Sequence, residues 1–306
     1  MSWVSGGRQT MVVERGRSSG AAAVGAVCAG LVLATLAATG CSGLGTVAAA
    51  DPSEAEARAA VREAAGALAR AGTSRVRTTV EMNSGGTRIT IRGTGAFDYG
   101  RCTGRLRVVL PREATGEDER RPIVELVTPG ALYMRNRGAG VPDGKWVRVD
   151  TAALPDGNLV TGGATDPVSA AELLRGARSV SFLGEERFRG ETVLHYRGTV
   201  DLAAAARSAD RRWREQLASA ADGLSGRTVA FDAYVDERGR LRKVRHRFVF
   251  PPAAGAPGGT PGAPGSGHRG GEVSVVSTTV LHGFGTPVEV ELPEPEDIYT
   301  GRVAVP

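Results

Sequence analysis

From residue 74 onward, apolar and polar residues alternate with a period of two, which favours strands with one buried face. In the run 75–82, Val76, Val80 and Met82 alternate with arginine, threonine and glutamate. The same alternation recurs at 88–92, 105–110, 123–127, 131–136 and 145–150. Side chains of a strand point to alternate faces, and short strands joined by turns are typical of an antiparallel meander.

Later segments interrupt the strands with two helices and then close the sheet. A short helix opens at Asp166 and Pro167, and a longer one is predicted over 202–224 with Trp213 and Leu217 on one side. The remaining strands are predicted as two hairpins, 180–183 with 193–201 and 229–236 with 241–250, and as a closing strand at 273–281. The chain therefore predicts strands first, then helices and strands mixed.

One further helix is predicted before the first strand, running to about Arg70 and ending at Gly72. Asp51 can cap its free backbone N–H groups, Pro52 suits the first helical position, and Glu54 can reach back as in a capping box. Its apolar stripe consists of Val61, Ala64, Ala65 and Leu68. Because this stripe is narrow, the helix must pack on a larger element.

The segment 251–271 interrupts the closing strands with proline, glycine, alanine, threonine and serine. This composition predicts a disordered loop. The cost of closing a loop rises only logarithmically with its length, so the strand at 273–281 can still pair with its predecessor across it.

The first 41 residues carry the pattern of a lipoprotein leader. Three arginines precede the uncharged, apolar run 21–40, and Ala-Thr-Gly stands directly before Cys41. A basic flank, an apolar core and small residues at the break are typical of a secretory signal peptide, and a cysteine there is typical of a lipobox. We therefore expect a lipoprotein signal peptide at 1–40, lipidation of Cys41, a tether at 41–50 and a single domain at 51–300.

This leader leaves two points open. Translation can start at Met1 or at Met11, since both keep a basic flank. The apolar run is also about long enough to cross a bilayer as a helix, although its glycines and alanines make it a weak span. The lipoprotein interpretation places the domain on the extracytoplasmic side of the cell membrane, held there by its lipid.

The charge of the chain does not indicate a nucleic-acid partner. The formal net charge is +5, and the first 40 residues hold three arginines and one glutamate, so their removal leaves +3. The other arginines are spread over many strands and do not form one run. We therefore expect no nucleic-acid binding.

No pattern of catalytic or metal-binding residues emerges. Cys102 lies in a strand-like stretch and is expected to be a buried structural residue, because a catalytic thiol needs a histidine partner. His195, His246 and His282 fall on predicted strands without metal-ligand spacing, and we expect them to be satisfied or to face solvent. We therefore expect no enzymatic activity, no cofactor and no metal.

The order of the elements and four short stretches resemble the actinobacterial cell-envelope lipoproteins of the LppX and LprG type, whose fold is related to the LolA carrier. The stretches are Gly-Lys-Trp-Val-Arg-Val-Asp at 144–150, Asp-Pro at 166–167, His-Tyr-Arg-Gly-Thr-Val-Asp at 195–201 and Asp-Ala-Tyr-Val-Asp-Glu-Arg-Gly-Arg-Leu-Arg-Lys-Val at 232–244. The resemblance covers nearly all of 51–300. It implies an α+β fold in which a strongly curved antiparallel sheet, a half-barrel, holds helices in its concave face. It also implies that acyl chains of lipids or lipoglycans lodge between helices and sheet.

One set of apolar side chains is assigned to the covered face of this sheet by the alternation. Its members are Val76, Val80, Ile89, Ile91, Leu106, Val108, Phe231 and Val235. They stay together because a register slip of one residue would expose them all. The covering helices, 54–70 and 202–224, are few and rich in alanine, so a wide sheet is hard to fill with their side chains alone.

A bound acyl chain would fill such a space, whereas dry voids would lower stability. We therefore expect a monomer that binds or shuttles a lipid or another hydrophobic ligand, with an export partner that the sequence does not name. The alternative is a non-enzymatic interaction or sensing module whose covered face is a packed core without a lipid cavity.

Overall fold

The computed structural model describes residues 51–84, 87–111, 121–138, 140–161, 163–224, 226–250 and 273–301. The predicted signal peptide and tether at 1–50 and the predicted loop at 251–271 lie outside these residues. None of the helices in the described part is long and apolar enough to span a membrane.

In the described part of the chain, eleven antiparallel strands form one sheet in the order β6-β5-β4-β3-β2-β1-β11-β10-β9-β8-β7. The strands are β1 (Thr73–Ser84), β2 (Thr87–Asp98), β3 (Thr103–Val109), β4 (Ile123–Thr128), β5 (Ala131–Arg135), β6 (Trp146–Asp150), β7 (Ala177–Phe188), β8 (Glu191–Asp201), β9 (Thr228–Asp236), β10 (Leu241–Phe250) and β11 (Val273–His282). Four helices accompany them: α1 (Glu54–Arg70), α2 (Pro167–Leu173), α3 (Leu202–Ser208) and α4 (Arg214–Gly223). The predicted α+β fold with one open antiparallel sheet is confirmed.

The centre of the sheet is the pairing of β1 with β11, which joins two meanders. Val80 lies opposite Ser277 in this pair, and Val76 lies opposite Leu281. The first meander runs from β1 out to the edge strand β6, and the second runs from the edge strand β7 back to β11. Strands from the two ends of the domain therefore meet in its middle.

The N-cap of helix α1 lies two residues later than predicted. Its N-cap is Ser53, whose hydroxyl accepts from the backbone N–H of Glu56 while the Glu56 carboxylate accepts from the Ser53 N–H. The prediction of Asp51 as cap and Glu54 as its box partner is wrong, because Ser53 and Glu56 have the same spacing and complete the box instead. The buried stripe of α1 consists of Ala57, Val61, Ala64, Ala65, Ala67 and Leu68.

The single helix predicted over 202–224 is two helices, α3 and α4, separated by a turn. Ala209 has an extended backbone, and the Asp210 carboxylate accepts from the backbone N–H of Arg212. An aspartate that bonds to the backbone two residues later forms a turn and ends the helix. The short helix α2 is confirmed, with Asp166 as its N-cap and Pro167 as its first residue.

Cys102 lies in the turn between β2 and β3, and its predicted place in a strand is wrong. Its φ of +57° is a turn conformation, which a regular strand does not contain. The thiol is buried and donates to the carbonyl oxygen of Tyr99 at 3.2 Å. Burial raises the pKa of the thiol, which agrees with the predicted structural role.

The pairing of β10 with β11 leads to a prediction about segment 251–272. Phe250 lies opposite Val273, so the two strands meet directly at both ends of this segment. We expect replacement of 251–272 by a short Gly-Ser turn to shift the melting temperature by only a few degrees, as measured by circular dichroism. A loss of about 3 kcal/mol or more in unfolding free energy would contradict it.

Candidate ligand-binding face

The strand register places all eight residues of the predicted apolar set on one face of the sheet. Val80 lies opposite Ile91, and Val108 lies opposite Gly93, which itself pairs with Thr78 between Val76 and Val80. Seven of the eight side chains are buried, and Ile89 is partly buried against the same core. Their common face, called the covered face below, is therefore as predicted, whereas ligand binding by these residues stays a prediction.

The covered face lies beneath a layer that the sequence predicted only in part. Helix α1 packs on β7, β9 and β10, and Arg62 donates to the carbonyl oxygen of Ala177 at 2.8 Å, where β7 begins. The described residues of 151–166, which carry no periodic pattern, form a covering loop, and its Gly163 and Ala164 lie over β2 and β3. A Cβ atom at Gly163 would lie 3.4 Å from a Val108 methyl group, and one at Gly93 would lie 3.4 Å from the Ala164 methyl group. This loop therefore covers the part of the set that helices were expected to cover.

Polar contacts tie the covering loop to α2 and α4, and these three segments are called the covering layer below. Gln216 of α4 donates to Ser169 Oγ of α2 at 2.8 Å and accepts from Thr151 Oγ1 of the loop at 3.1 Å. The layer reaches the sheet through Thr165, whose hydroxyl lies 2.7 Å from that of Ser277. All five side chains are buried. The layer is thus held together internally and joined to the sheet by a polar contact between two hydroxyl groups.

Four buried polar side chains form a stripe across the middle of the covered face. Thr78 lies opposite Thr279, and Ser277 lies opposite His246. No more than 2% of any of these side chains is exposed. On the neighbouring strands, Ser277 also lies opposite Val80, and His246 also lies opposite Phe231. This polar stripe therefore lies between the two parts of the predicted apolar set.

His246 contradicts the expectation that the histidines are satisfied or face solvent. It is 1% exposed, and its Nε2 has no hydrogen-bond partner among the described residues. Burial lowers its pKa to about 3, so the imidazole is neutral at physiological pH. The Thr78 hydroxyl also lacks a partner in the described part of the chain. Two polar groups of the stripe are thus buried without complete hydrogen bonding.

His195 shows the satisfied arrangement that was expected. Its Nδ1 lies 2.6 Å from a Glu186 carboxylate oxygen, and its Nε2 lies 3.0 Å from one of Asp232. The imidazole also stacks on Tyr234, with ring centroids 4.2 Å apart. Asp232 accepts a further hydrogen bond from Arg197 at 2.8 Å. The carboxylates therefore fix this histidine in a structural cluster on β7, β8 and β9.

Glu125 adds a buried carboxyl group to the covered face. It lies opposite Leu106 on β3 and Met134 on β5, and it is 1% exposed. Its pKa is raised to about 8, mainly by burial, while the charge of Arg137 lowers it and that of Asp166 raises it. The side chain is therefore mostly protonated near neutral pH.

Catalytic and metal-binding arrangements were also sought in the described residues. No group of three histidine, cysteine, aspartate or glutamate side chains is placed there to hold a metal ion. Two surface clefts lie away from the predicted set, one of about 520 Å³ at Asp210–Arg212 and one of about 280 Å³ that includes Arg121 and Lys145. Both are lined mainly by polar side chains, so they do not suit an acyl chain.

The polar stripe and Glu125 were not predicted, although the sequence carries a signal for them. Thr78 stands between Val76 and Val80 at a position whose neighbours two residues away are apolar. Glu125 stands in the same phase between Ile123 and Val127. A polar residue in the buried phase of a strand marks a buried polar group.

No family model matches the chain, and no curated protein matches it. Among solved structures, the chain is similar to the lipoprotein LppX from Mycobacterium tuberculosis, at 13% identity, over 78% of this chain and 100% of that one, with a TM-score of 0.43. It is also similar to LprF from Mycobacterium bovis, at 12% identity, over 80% of this chain and 99% of that one, with a TM-score of 0.41. A LolA-superfamily protein from Nitrosomonas europaea is similar at 13% identity, over 79% of this chain and 97% of that one, with a TM-score of 0.32. These are the lipoprotein type and the superfamily that the sequence resembles.

Proposed function

We propose that this chain is a lipoprotein of the cell envelope, anchored through Cys41 on the extracytoplasmic side of the membrane, that binds or shuttles an amphiphilic lipid. It acts as a monomer and performs no catalysis. The acyl chain of the ligand lies along the apolar side chains of the covered face, and a polar group of the ligand meets the polar stripe. The ligand thus enters between the sheet and the covering layer.

The observation that carries this proposal is the pair of incompletely bonded polar groups in the covered face. Leaving a buried donor or acceptor without a partner costs about 1–3 kcal/mol. Thr78 can donate or accept, and a neutral imidazole such as that of His246 offers one donor and one acceptor. An ester, hydroxyl or phosphate group of a lipid supplies the missing partners, whereas a hydrocarbon alone does not.

The covering layer supports the proposal because its three segments are joined to one another. Its internal hydrogen bonds through Gln216 do not involve the sheet. Its contact with β2 and β3 is made by Gly163 and Ala164, which bury little apolar area. Leucines of the layer, Leu159, Leu173 and Leu217, are also buried in the common core, so a ligand that enters here has to displace apolar contacts of the layer.

A packed-core interaction module is the second candidate, and one observation favours it. A Cβ atom at Gly163 would lie 3.4 Å from Val108 and 3.8 Å from Ile91, so the loop already packs on the predicted set. In this function the apolar set stabilises the domain, and partners contact its surface. The two candidates differ in whether lipid is bound.

Purification from the native host followed by native mass spectrometry and lipid extraction tests the proposal. We expect lipid to accompany the wild-type domain and to be lost from Val108→Trp, because the indole occupies the space of the acyl chain. The matched control is Val109→Trp, since Val109 is the next residue of β3 and is 48% exposed. It should keep the lipid.

The same variants also show whether the domain is a packed-core interaction module. In a solid core, Val108→Trp overpacks and lowers the free energy of unfolding by about 1–3 kcal/mol. That loss, together with lipid-free wild-type and Val109→Trp proteins, would contradict the carrier function. Urea unfolding of the three proteins measures it.

A further inference from the structure

The face of the sheet opposite the covering layer carries a dense group of basic side chains. They belong to β1, β2, β3 and β10 and are called the basic belt: Arg75, Arg77, Arg88, Arg92, Arg105, Arg107, Lys243, Arg245 and Arg247. One row of the register runs Arg107–Thr94–Arg77–Val280–Lys243 across five neighbouring strands. The arginines that the sequence spreads over many strands thus come together in space.

Among the described residues, few acidic side chains lie near the basic belt. On this face of β1, β2, β3, β10 and β11 they are Glu81 and Asp98, and Asp232 of the next strand, β9, lies opposite Arg245, although it pairs with Arg197. Asp98 lies 3.9 Å from Arg101, outside the belt. Within the described part of the chain, no member of the belt forms an ion pair, and seven of the nine are exposed. The other two, Lys243 and Arg245, are half-buried.

The spacing of these charges makes them repel one another. Neighbouring strands lie about 4.8 Å apart, so Arg107 and Arg77 are separated by about 10 Å, while Arg75 and Arg77 are about 7 Å apart along β1. Both distances are close to the screening length of about 8 Å at physiological salt. His282 lies at the edge of the belt, and its pKa is lowered by burial and by the positive charges of Arg189, Arg77, Arg75 and Arg242. The belt is therefore a strong local source of positive potential.

From this arrangement we infer that the basic belt docks the domain on the surface of an anionic phospholipid bilayer. The belt is broad, because it spans five strands, and it lies on an open sheet face that offers no enclosed site. A broad surface of spaced cations fits an array of phosphate headgroups better than it fits one small anion. Each such residue near an anionic bilayer adds about 1 kcal/mol of attraction.

The bilayer is the expected partner because of the lipid anchor at Cys41, so this inference rests on the proposed function. Nine residues separate Cys41 from Asp51, and the ten steps of an extended chain between them reach about 35 Å. The bilayer that holds the anchor is therefore within reach of the domain. Docking orients the belt toward the membrane and the covering layer away from it.

Vesicle sedimentation with a chain that begins at Ala49 tests the docking without the anchor. The described core lies within the compact unit Ala49–Pro306, so this chain keeps all the contacts of the fold. We expect it to bind phosphatidylcholine vesicles that contain phosphatidylglycerol, to release them as salt is raised, and not to bind pure phosphatidylcholine vesicles. Because neither the anchor nor a bound lipid is needed, a failure here leaves the proposed function standing.

Two charge-matched triple variants locate the binding surface. Arg77→Glu/Arg92→Glu/Arg107→Glu replaces three positive charges of the belt by negative ones, a change of six charge units, and should weaken binding to anionic vesicles by at least about a hundredfold. The control Arg70→Glu/Arg207→Glu/Arg211→Glu changes the net charge equally at exposed sites on α1, α3 and the turn after α3. It should retain most of the binding. Circular dichroism melts show whether both variants stay folded.

Three results would overturn the docking. Equal losses in the two triple variants would mean that net charge alone drives binding. Equal binding to pure phosphatidylcholine would mean that the contact is not electrostatic. Belt-dependent binding to duplex DNA or polyphosphate without binding to anionic vesicles would assign the surface to a polyanion. If the belt variant unfolds, Arg77→Gln and Arg107→Gln measured singly, each with a partial loss expected, decide between these results.

Discussion

Replacement of Cys41 by serine is expected to abolish membrane retention, so that the protein accumulates as an uncut precursor or leaves the membrane fraction. The motive is the Ala-Thr-Gly-Cys junction after a basic flank and an uncharged apolar run. Only the thiol can receive the diacylglycerol, and two acyl chains anchor stably where one is marginal, at about 0.8 kcal/mol per buried CH₂. Cell fractionation, metabolic labelling with an alkyne fatty acid and the mass of the mature N-terminus measure the outcome.

Cys28→Ser is the matched control for this experiment. Cys28 lies inside the apolar run, so its substitution changes a thiol of the leader without touching the proposed cleavage site. It should leave processing and retention unchanged. A membrane-spanning helix predicts retention for both variants, and finding Cys41→Ser processed and membrane-bound like the wild type would rule out the anchor.

Strands could be predicted from this sequence because burial enforces their period. In β3, Leu106 and Val108 are completely buried, whereas Arg105 and Arg107 between them are exposed. A slip of one residue would exchange these environments, so the pattern identifies both the strand and its inner face. The turn residues likewise made the hairpin of β9 and β10 predictable, because its Gly239 has a φ of +73°, which glycine adopts readily.

The arrangement of the strands could not be predicted in the same way, because pairing over long sequence distances leaves no local pattern. The central pair of β1 and β11 joins Val80 to Ser277. Only the assembled sheet shows that Arg77 and Lys243 lie in one row of the same face, which is why the basic belt was interpreted as scattered charge. The covering loop was missed for a related reason, since its contacts depend on small residues and not on a period.

Polar residues at the buried positions of the strands can be seen in the sequence, but they are weak evidence for a buried polar group. An isolated Thr78 or Glu125 in an apolar run is compatible with a strand that is only partly buried, so alternation alone does not reveal that both are 1% exposed. These polar groups cost stability because the covering layer excludes water from them. The candidate site was therefore predicted in its apolar part and missed in its polar part.

Glu125→Gln is expected to stabilise the domain, and the gain should grow with pH. The folded-state pKa of Glu125 is raised from about 4.5 to about 8, first by burial and then by Asp166, against the opposing charge of Arg137. Below pH 4.5 the carboxyl group is protonated in both folded and unfolded chains, so it creates no pH dependence there. Between the two pKa values only the unfolded chain loses the proton, so wild-type stability falls as pH rises.

Above pH 8 the full penalty is present, and a shift of this size corresponds to about 5 kcal/mol. Glutamine keeps the shape of the side chain but cannot ionise, so urea unfolding of Glu125→Gln should lack this decline. Glu63→Gln, at an exposed position on α1, removes the same charge in solvent and should leave the slope as it is in the wild type. Parallel curves for wild type and Glu125→Gln from pH 5 to pH 9 would mean that the carboxyl group meets water, and that the covering layer does not seal this end of the covered face.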